Sequence, residues 1–587
     1  MPFTLVYPMF ERLTIYFNLT EPKTVQGGYS MKFKNPFTIS KRTLLQAAAT
    51  ALTGCLLLAA PAQAAQPFTD VPSDHWAASA VEELRTLGFS DGIGDNQFGL
   101  GQTITRAQFA AFIAKIEGYS GSYPQAYTDN TDSNAWYYGT LNAMAANHVT
   151  SQTGAFRPND PITRAEMTEM MVGALGFYEL GNQLNSIDCP FPDVSSRKGF
   201  ITLANDLGLA GGMSATSFAP DATATREQAA AMLVRLYHTN EKQLDELHGF
   251  YAISSASQSS FLSRLDSTGF GWARLTLNDG HAAVNTSSTG QNEYNIPAGF
   301  TEPLQTVRNT GGKALLSVYA DDNNGLLTQI LSQPALRSEA ASAIAAAVAS
   351  SGRDGQTASF DGVVLDFESL RAGQKANYTA FLQELRAIMG TQPIYVAIHP
   401  VLNGSAYYDG YDYAAIGQLA DQVILMAYDF DAKALTESEM AQGYTQTPMS
   451  PLNQVYSAIR ACLNGGISAD KLLLGISMDT VQWKLQNGAV INNTPYRPSY
   501  AAVSARLATG CEIIYPNYSY NPYASYTDNT DQTQNILWFE NEQSVAAKAE
   551  LARLLGLRGL SIWRLGTIPT DSNTGLNIWH TLTTAVQ

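Results

Sequence analysis

Two carboxylates close an apolar run in Phe360-Asp361-Gly362-Val363-Val364-Leu365-Asp366-Phe367-Glu368-Ser369. In a β-strand, alternate side chains point to the same face, so this run places Asp366 and Glu368 side by side. Like charges held close together raise the pKa of at least one carboxyl group, and a carboxyl that keeps its proton near neutral pH suits a general acid. The pair therefore indicates acid–base chemistry; the alternative is a strand whose last residues simply reach solvent.

Two other apolar runs end in aromatic side chains. One run leads into Tyr428 and Asp429, and the other ends at Trp563. Taken alone, each aromatic residue is more often a packing residue than a site residue. Found together with the acids at strand ends, they become candidate site residues.

The elements that must position these residues begin at Gly249, where apolar strands start to alternate with helical patterns. The predicted strands are Gly249–Ser254, Trp272–Leu277, Ala314–Tyr319, Gly362–Glu368, Ile394–His399, Gln422–Tyr428, Leu472–Met478 and Gly559–Trp563. Predicted helices include Ser338–Ser350, Gln374–Met389 and Ser544–Leu555. This alternation predicts an α/β fold, a closed (β/α)8 TIM barrel over residues 249–587, with its chemistry at the carboxyl ends of the strands.

Three of these motifs resemble glycoside hydrolase family 18, the chitinase-like enzymes. The fourth barrel strand of that family carries D-x-x-D-x-D-x-E, and Asp361, Asp366 and Glu368 fall on its first, third and fourth acidic positions. Val364 stands where the family often has its middle Asp. The family's sixth strand carries M-x-Y-D, which Met426, Tyr428 and Asp429 match, and its last strand ends in a Trp, as at Trp563.

The resemblance implies a role for each matched residue. Glu368, Asp366 and Tyr428 are implied to be catalytic, and the implied substrate-binding residues are Asp361, Met426, Asp429 and Trp563. The implied substrate is an N-acetylated glycan, with no cofactor. The sequence Leu537-Trp538-Phe539-Glu540, followed by Gly556-Leu557-Arg558-Gly559, looks most like the branch of spore-cortex and peptidoglycan N-acetylglucosaminidases. Peptidoglycan and chitin-like glycans both stay open as substrates.

Between residues 67 and 240 the chain repeats itself three times. Each unit begins with an aromatic residue shortly before an Asp, and each ends in a T-R-x-x sequence that is predicted to open a helix with Thr as the N-cap. The units are assigned to residues 66–120, 121–185 and 186–240. An Arg in a first helical turn opposes the helix dipole, so it indicates either an acidic ligand or an ion pair with the Asp of the same repeat.

The repeats look like S-layer homology domains, which implies a helical bundle that binds an anionic secondary cell-wall polymer. The implied contacts are Trp76, Arg106, Trp136, Arg164 and Arg226. The third repeat departs from the pattern, because Arg197-Lys198-Gly199-Phe200 replaces the region of the His-Trp pair.

Residues 1–65 read as an N-terminal extension followed by a secretory signal: basic residues near Met31, an apolar run and a small-residue site ending at Ala64. Lipid attachment at Cys55 and a start at either Met1 or Met31 stay open. The prediction is a secreted protein at the cell wall or cell surface, without a transmembrane span.

Composition limits the partners further. A net charge of −16 argues against nucleic acid and anionic membrane surfaces. The 4 cysteines are scattered and, like the His and Asp residues, lack the spacing of metal ligands, so no metal site is predicted.

The sequence therefore predicts a wall-anchored glycosidase that cleaves β-1,4-linked N-acetylglucosamine. Two alternatives stay open: a non-catalytic, chitolectin-like glycan-binding protein on the same barrel, and a structural surface-layer component. The tyrosine-rich segment Tyr515–Tyr526 reads either as a rim for stacking on a glycan or as an ordinary solvated loop.

Overall fold

The structure of the protein is a computed structural model that describes residues 67–151, 153–402, 409–430, 434–516 and 520–586. The predicted extension and signal peptide, including Met31, Cys55 and Ala64, lie outside the described residues. In the described ranges, no helix combines the length and apolar character needed to cross a membrane.

The repeat region is helical, as predicted. Its α-helices in the described ranges are α1 Ala78–Thr86, α2 Arg106–Glu117, α3 Tyr138–Ala146, α4 Arg164–Ala174, α5 Tyr178–Gln183, α6 Lys198–Asp206 and α7 Arg226–Glu241. Thr105 and Thr163 form the predicted N-caps of α2 and α4, each closed into a capping box by Gln108 or Glu166. Before α7, the side chain of Gln228 accepts the backbone N–H of Thr225 at 3.2 Å.

The Asp near the start of each repeat folds the loop that leads to the T-R helix. Its carboxylate accepts backbone N–H groups of that loop: Asp70 from Phe98, Gly99 and Leu100, Asp129 from Phe156 and Arg157, and Asp193 from Phe218 and Ala219. The repeated Asp is therefore a loop-folding residue.

Eight parallel strands close the predicted barrel. Its strands are β1 Glu246–Tyr251, β2 Ser267–Asn278, β4 Lys313–Asp321, β7 Gly362–Glu368, β8 Ile394–Ile398, β9 Gln422–Leu425, β10 Leu472–Ser477 and β16 Gly559–Trp563. They pair in the order β1-β16-β10-β9-β8-β7-β4-β2, and the β1–β2 pairing closes the circle. β3 (His281–Asn285) extends the sheet as an antiparallel neighbour of β2.

Helices and smaller sheets surround the barrel. The helices are α8 Thr301–Asn309, α9 Leu326–Ser332, α10 Pro334–Ala349, α11 Lys375–Met389, α12 Tyr413–Leu419, α13 Glu437–Ala441, α14 Leu452–Asn464, α15 Tyr500–Leu507, α16 Glu542–Leu554 and α17 Ile578–Ala585. Strands β5 Ser351–Arg353 and β6 Gln356–Ala358 form a hairpin. An antiparallel sheet inserted between β10 and β16 contains β11 Val481–Gln486, β12 Ala489–Val490, β13 Glu512–Ile514, β14 Tyr523–Thr527 and β15 Gln534–Trp538.

Six of the eight predicted barrel strands differ from the observed strands at one or both ends, and two of these differences have a clear structural cause. β1 begins at Glu246, in what reads as a charged connector, because the Glu246 carboxylate is buried and accepts hydrogen bonds from Ser267 and Tyr395 at 2.7 Å each. β9 ends at Leu425 and not at Tyr428, because the N–H of Ala427 turns back to the carbonyl of Leu425. Met426 still donates its backbone N–H to the carbonyl of Ile398 at 2.9 Å, and the segment from Ala427 onward leaves the ladder.

The repeat region is docked onto the barrel through polar contacts. Asp206 at the end of α6 accepts hydrogen bonds from Tyr456 at 2.6 Å and Arg460 at 2.8 Å, both on α14. On the connector after α7, Lys242 donates to the carbonyl of Leu554 at 2.7 Å. The third repeat thus provides a contact surface for the barrel.

Candidate active site

The two faces of β7 are divided as the alternation predicts. Val364 packs inside the barrel with Phe250, Tyr428 and Trp563, whereas Val363, Leu365 and Phe367 belong to the core between the barrel and its helices. Asp366 and Glu368 continue the inner face toward the carboxyl end of the strand. The barrel thus directs both acids toward its own mouth.

Asp366 is a buried acid with an unsatisfied oxygen. It is 4% exposed, and its Oδ1 has no hydrogen-bond partner among the described residues. Burial raises the pKa of Asp366 well above its ordinary value of 3.8, and the neighbouring charge of Glu368 raises it further. Burial and the neighbouring acid therefore favour the protonated form of the deeper carboxyl group.

Glu368 is the accessible member of the pair. Its side chain is 30% exposed at the end of β7, and His399 Nε2 lies 3.7 Å from its Oε1, beyond hydrogen-bond distance. A carboxyl group in this position can exchange protons with a bound molecule, and the pKa of its buried neighbour Asp366 is raised.

Tyr428 and Met426 lie on the segment that follows β9. Both are buried, with exposures of 8% and 5%. Burial raises the pKa of Tyr428 well above 10, and the charges of Asp366, Asp429 and Glu368 act in the same direction. The phenol therefore keeps its proton and can donate a hydrogen bond beside the acids.

Asp429 follows in a left-handed backbone conformation, with φ of 60°. Asp429 is exposed as a residue, but the surrounding groups desolvate its carboxylate. This desolvation raises its pKa to about 6, and the charge of Asp479 raises it further. Asp479 is itself 3.6 Å from Arg497 Nη1. Asp429 thus lies at the open side of the site.

Trp563 faces the acids from across the barrel. β16 is four strands from β7 in either direction around the circle, and the indole packs edge-on against Phe250 with ring centroids 5.1 Å apart. Its partly buried ring forms one wall of the inner cluster that also contains Met426 and Tyr428. The structure thus brings together six of the seven residues predicted for this site.

Asp361 is the exception, and it lies at the opposite end of β7. Its Oδ2 accepts the backbone N–H of Ala314 at 2.7 Å, and its Oδ1 pairs with Arg308 at 3.2 Å. The seven-residue strand separates it from Glu368 by about 20 Å. The assignment of Asp361 as a substrate-binding residue is therefore wrong, because it caps the start of the sheet.

Three residues beside the acids were not singled out from the sequence. Tyr319 on β4 is the register partner of Asp366, and Arg274 on β2 is the register partner of Tyr319. The ring of Tyr294, from the loop after β3, stacks on Tyr319 with centroids 4.7 Å apart and planes at 9°. Tyr319 is the last residue of a predicted strand, so the sequence could have identified it as a site residue. No sequence pattern identifies Tyr294 or Arg274.

The tyrosine-rich segment is not a simple loop in its described part, and its role as a rim for a glycan stays a prediction. Tyr523 opens β14 and packs on Trp538, with ring centroids 4.8 Å apart. Tyr520 is buried, and its hydroxyl accepts the backbone N–H of Leu180 in the repeat region at 3.2 Å. These tyrosines therefore serve packing and docking.

The three repeat arginines hold neighbouring repeats together. Arg106 donates from Nε to the carbonyl of Phe156 in the second repeat, Arg164 to Phe218 in the third, and Arg226 to Phe98 in the first, at 2.6, 2.9 and 2.9 Å. Each guanidinium also lies over the ring of the same Phe, at 4.9, 4.7 and 5.2 Å. The predicted alternative of a pair with the Asp of the same repeat is therefore wrong; contact with a polymer stays a prediction.

Trp76 and Trp136 are exposed in the first two repeats, at 62% each. The third repeat has no such Trp at this position: Gly199 lies against α5, where an added Cβ would meet the carbonyl oxygen of Gly181 at 2.0 Å. The departure read from the sequence therefore corresponds to a packed helix contact.

Comparison with known proteins agrees with this division of the chain. Residues 246–567 match the family described as Glycosyl hydrolases family 18, and residues 67–110, 127–168 and 190–230 match the S-layer homology domain. The first match covers the barrel from its first strand to beyond its last.

Individual relatives match parts of the chain. It is 30% identical over 218 residues to the "Cortical fragment-lytic enzyme" of Bacillus subtilis (strain 168), covering 35% of this chain and 47% of that protein. It is 33% identical over 158 residues to a "Cell surface protein" of Thermoanaerobacter kivui, covering 26% of this chain and 19% of that one. The crystal structure of the Bacillus cereus spore cortex-lytic enzyme SleL is 17% identical, with a TM-score of 0.47 over 70% of this chain and 84% of that one.

Proposed function

The chain belongs to glycosyl hydrolase family 18, and we propose that it is a cell-wall glycosidase that cleaves β-1,4-linked N-acetylglucosamine glycans with retention of configuration. The observation that carries this proposal is the acid pair on β7. A buried Asp366 holds a proton beside Glu368, whose side chain is accessible at the barrel mouth. That is the arrangement required for one group to give up a proton and later take one back.

The proposed reaction uses the substrate's own acetamido group, the route by which this class departs from the two-carboxylate scheme. Glu368 protonates the leaving oxygen while the acetamido carbonyl oxygen attacks the anomeric carbon, which forms an oxazolinium ion. Asp366 then holds the acetamido N–H and balances its charge, and Tyr428 donates its O–H to the acetamido oxygen. Glu368 finally takes a proton from water, which attacks the anomeric carbon and completes hydrolysis.

The proton needed for the first step is shared by the pair. Because two neighbouring carboxylates resist ionising together, the pair is proposed to keep one proton, which the raised pKa of Asp366 favours on that residue before substrate binds. An acetamido N–H that approaches Asp366 favours its ionised form, so the proton moves to Glu368. Val364, in place of an acid further down the strand, is buried and apolar, and this limits the sharing to two groups.

We further propose that the repeats hold the enzyme at the cell surface by binding an anionic wall polymer. The match to S-layer homology domains supports this, and the exposed Trp76 and Trp136 are the proposed contacts, with Arg106, Arg164 and Arg226 fixing the loops beside them. Binding of the purified protein to cell-wall sacculi tests this part separately from catalysis.

The substrate is proposed to be peptidoglycan, because a relative that is 30% identical over 218 residues is named a cortical fragment-lytic enzyme. A reducing-end assay on purified peptidoglycan and on chitin oligosaccharides tests the proposal. New reducing ends with N-acetylglucosamine at the cleaved position support it. Binding of both glycans without cleavage would favour the non-catalytic alternative.

A further inference from the structure

Arg274 is a cation at the mouth of a barrel whose neighbouring groups are mostly acidic. Through the register pairs Arg274–Tyr319 and Tyr319–Asp366, it stands two strands from Asp366, a separation of about 10 Å between backbones. Asp321 on β4 is the register partner of Glu368, so it lies at the same end of the barrel. Arg274 is therefore close enough for a neighbouring sugar to reach while another sugar occupies the acids.

The guanidinium group is rigidly held. It lies 5.5 Å from the ring centroid of Tyr319 and 6.0 Å from that of Tyr294, the two tyrosines that stack on each other. Asn292, itself buried, braces the loop that carries Tyr294, because its side-chain amide donates to the carbonyls of Asn285, Ser287 and Tyr294. Such a supported, planar cation loses little freedom when it binds a planar anion.

Most of the hydrogen-bonding capacity of Arg274 is unused. Nη2 donates to Asp321 Oδ2 at 3.2 Å, and the guanidinium makes no other hydrogen bond to the described residues. Its side chain is 38% exposed, whereas that of Asp321 is 13% exposed. Asp321 thus orients the guanidinium from the protein side and leaves the remaining N–H groups for a ligand.

The guanidinium group of Arg274 can form an ion pair with an acidic glycan but not with an uncharged one. Burial raises the pKa of Tyr294 to about 12, and the acidic pair Asp366 and Glu368 adds to the rise at this end of the barrel. A carboxylate entering beside them would be repelled unless a cation met it. Arginine binds carboxylates in a planar, two-point geometry that suits this task.

We propose that Arg274 is a specificity-determining residue that binds a carboxylate carried by the sugar next to the cleaved one, so that acidic glycans are preferred over uncharged chitin oligosaccharides. This inference rests on the proposed function. In an alternating peptidoglycan strand, the carboxylate comes either from the free lactyl group of a muramic residue or from an acidic stem peptide.

The test compares kcat/KM on four substrates: peptidoglycan with stem peptides, strands stripped of peptides with free lactyl carboxylates, the same strands amidated with methylamine, and chitin hexasaccharide. Arg274→Gln should lose about tenfold to a hundredfold on carboxylate-bearing strands and little on the amidated strands and on chitin. Loss on stripped strands identifies the lactyl group, and loss confined to peptide-bearing strands identifies the stem peptide.

A matched control and a measurement without substitution keep the outcome decisive. Arg308→Gln removes an Arg–Asp pair of the same 3.2 Å length at the opposite end of the barrel and should change none of the four rates. In the unsubstituted protein, preference for carboxylate-bearing strands over amidated strands should shrink as salt is added. Equal loss on carboxylate-bearing and amidated strands, or no loss on either the peptide-bearing or the stripped strands, would overturn this inference alone. An unsubstituted protein that cleaves none of the substrates would overturn the proposed function with it.

Discussion

Asp366 and Glu368 lie two residues apart on the inner face of one strand, but the first is 4% exposed and the second has a side chain that is 30% exposed. This difference in burial gives the two carboxyl groups different roles. Burial raises the pKa of the deeper carboxyl group, and the shallower carboxyl group is accessible to a molecule that enters the barrel mouth.

Asp366 should make stability depend on pH. Because its folded-state pKa is raised, the folded protein holds a proton that the unfolded chain releases, so stability falls as pH rises above about 4. Asp366→Asn removes this dependence while abolishing efficient turnover. Thermal unfolding at pH 4 and pH 8 should therefore show a Tm gain from the substitution that is larger at pH 8. A gain that is larger at pH 4 would contradict the raised pKa.

Tyr428→Phe should reduce activity without reducing stability. Its hydroxyl makes no hydrogen bond to the described residues, so its proposed task is to donate to the bound acetamido oxygen. Loss of that bond should lower kcat/KM by about tenfold to a hundredfold. The control is Tyr378→Phe, which removes another buried hydroxyl, outside the barrel interior, that has no hydrogen-bond partner in the described part of the chain. If both variants lose activity equally, Tyr428 has no special role.

Arg164→Ala should destabilise the repeat region. It removes hydrogen bonds to the carbonyls of Phe218 at 2.9 Å and Gly211 at 2.8 Å, and leaves both acceptors without that donor. The expected cost is about 2 to 5 kcal/mol, measured by chemical denaturation. A loss of polymer binding with unchanged stability would instead mean that Arg164 acts on the ligand.

Trp136→Ala should weaken polymer binding and leave stability nearly unchanged. The side chain is exposed, so its removal should change stability by less than about 0.5 kcal/mol. Binding to cell-wall sacculi should weaken, and weaken further when Trp76→Ala is added. Unaltered binding of the double variant would exclude these two residues as the polymer contacts.

Regular patterns were enough to predict the barrel and its active face. Strand alternation identified the inner face that holds Val364 and Asp366, and Gly362–Glu368 and Gly559–Trp563 were predicted with the bounds that the structure has. The T-R sequences gave the starts of α2 and α4, because a capping box involves residues only three positions apart.

Contacts between distant segments were not predictable in this way. The carbonyl acceptors of Arg106, Arg164 and Arg226 lie 50, 54 and 128 residues along the chain, in another repeat each time. A motif match placed Asp361 with the other acids, although the length of β7 carries it to the opposite end of the barrel. The stack of Tyr294 on Tyr319 depends on a loop conformation for which the sequence has no signal.

The most direct test of the account is the turnover of Glu368→Gln, measured together with its affinity for an N-acetylglucosamine oligosaccharide. The amide keeps the size of the side chain but cannot deliver and recover a proton, so kcat should fall by about a hundredfold to ten-thousandfold or more. The dissociation constant, from calorimetry, should stay close to that of the unsubstituted protein. Hydrolysis at an undiminished rate would contradict the assignment of Glu368 as the acid and base.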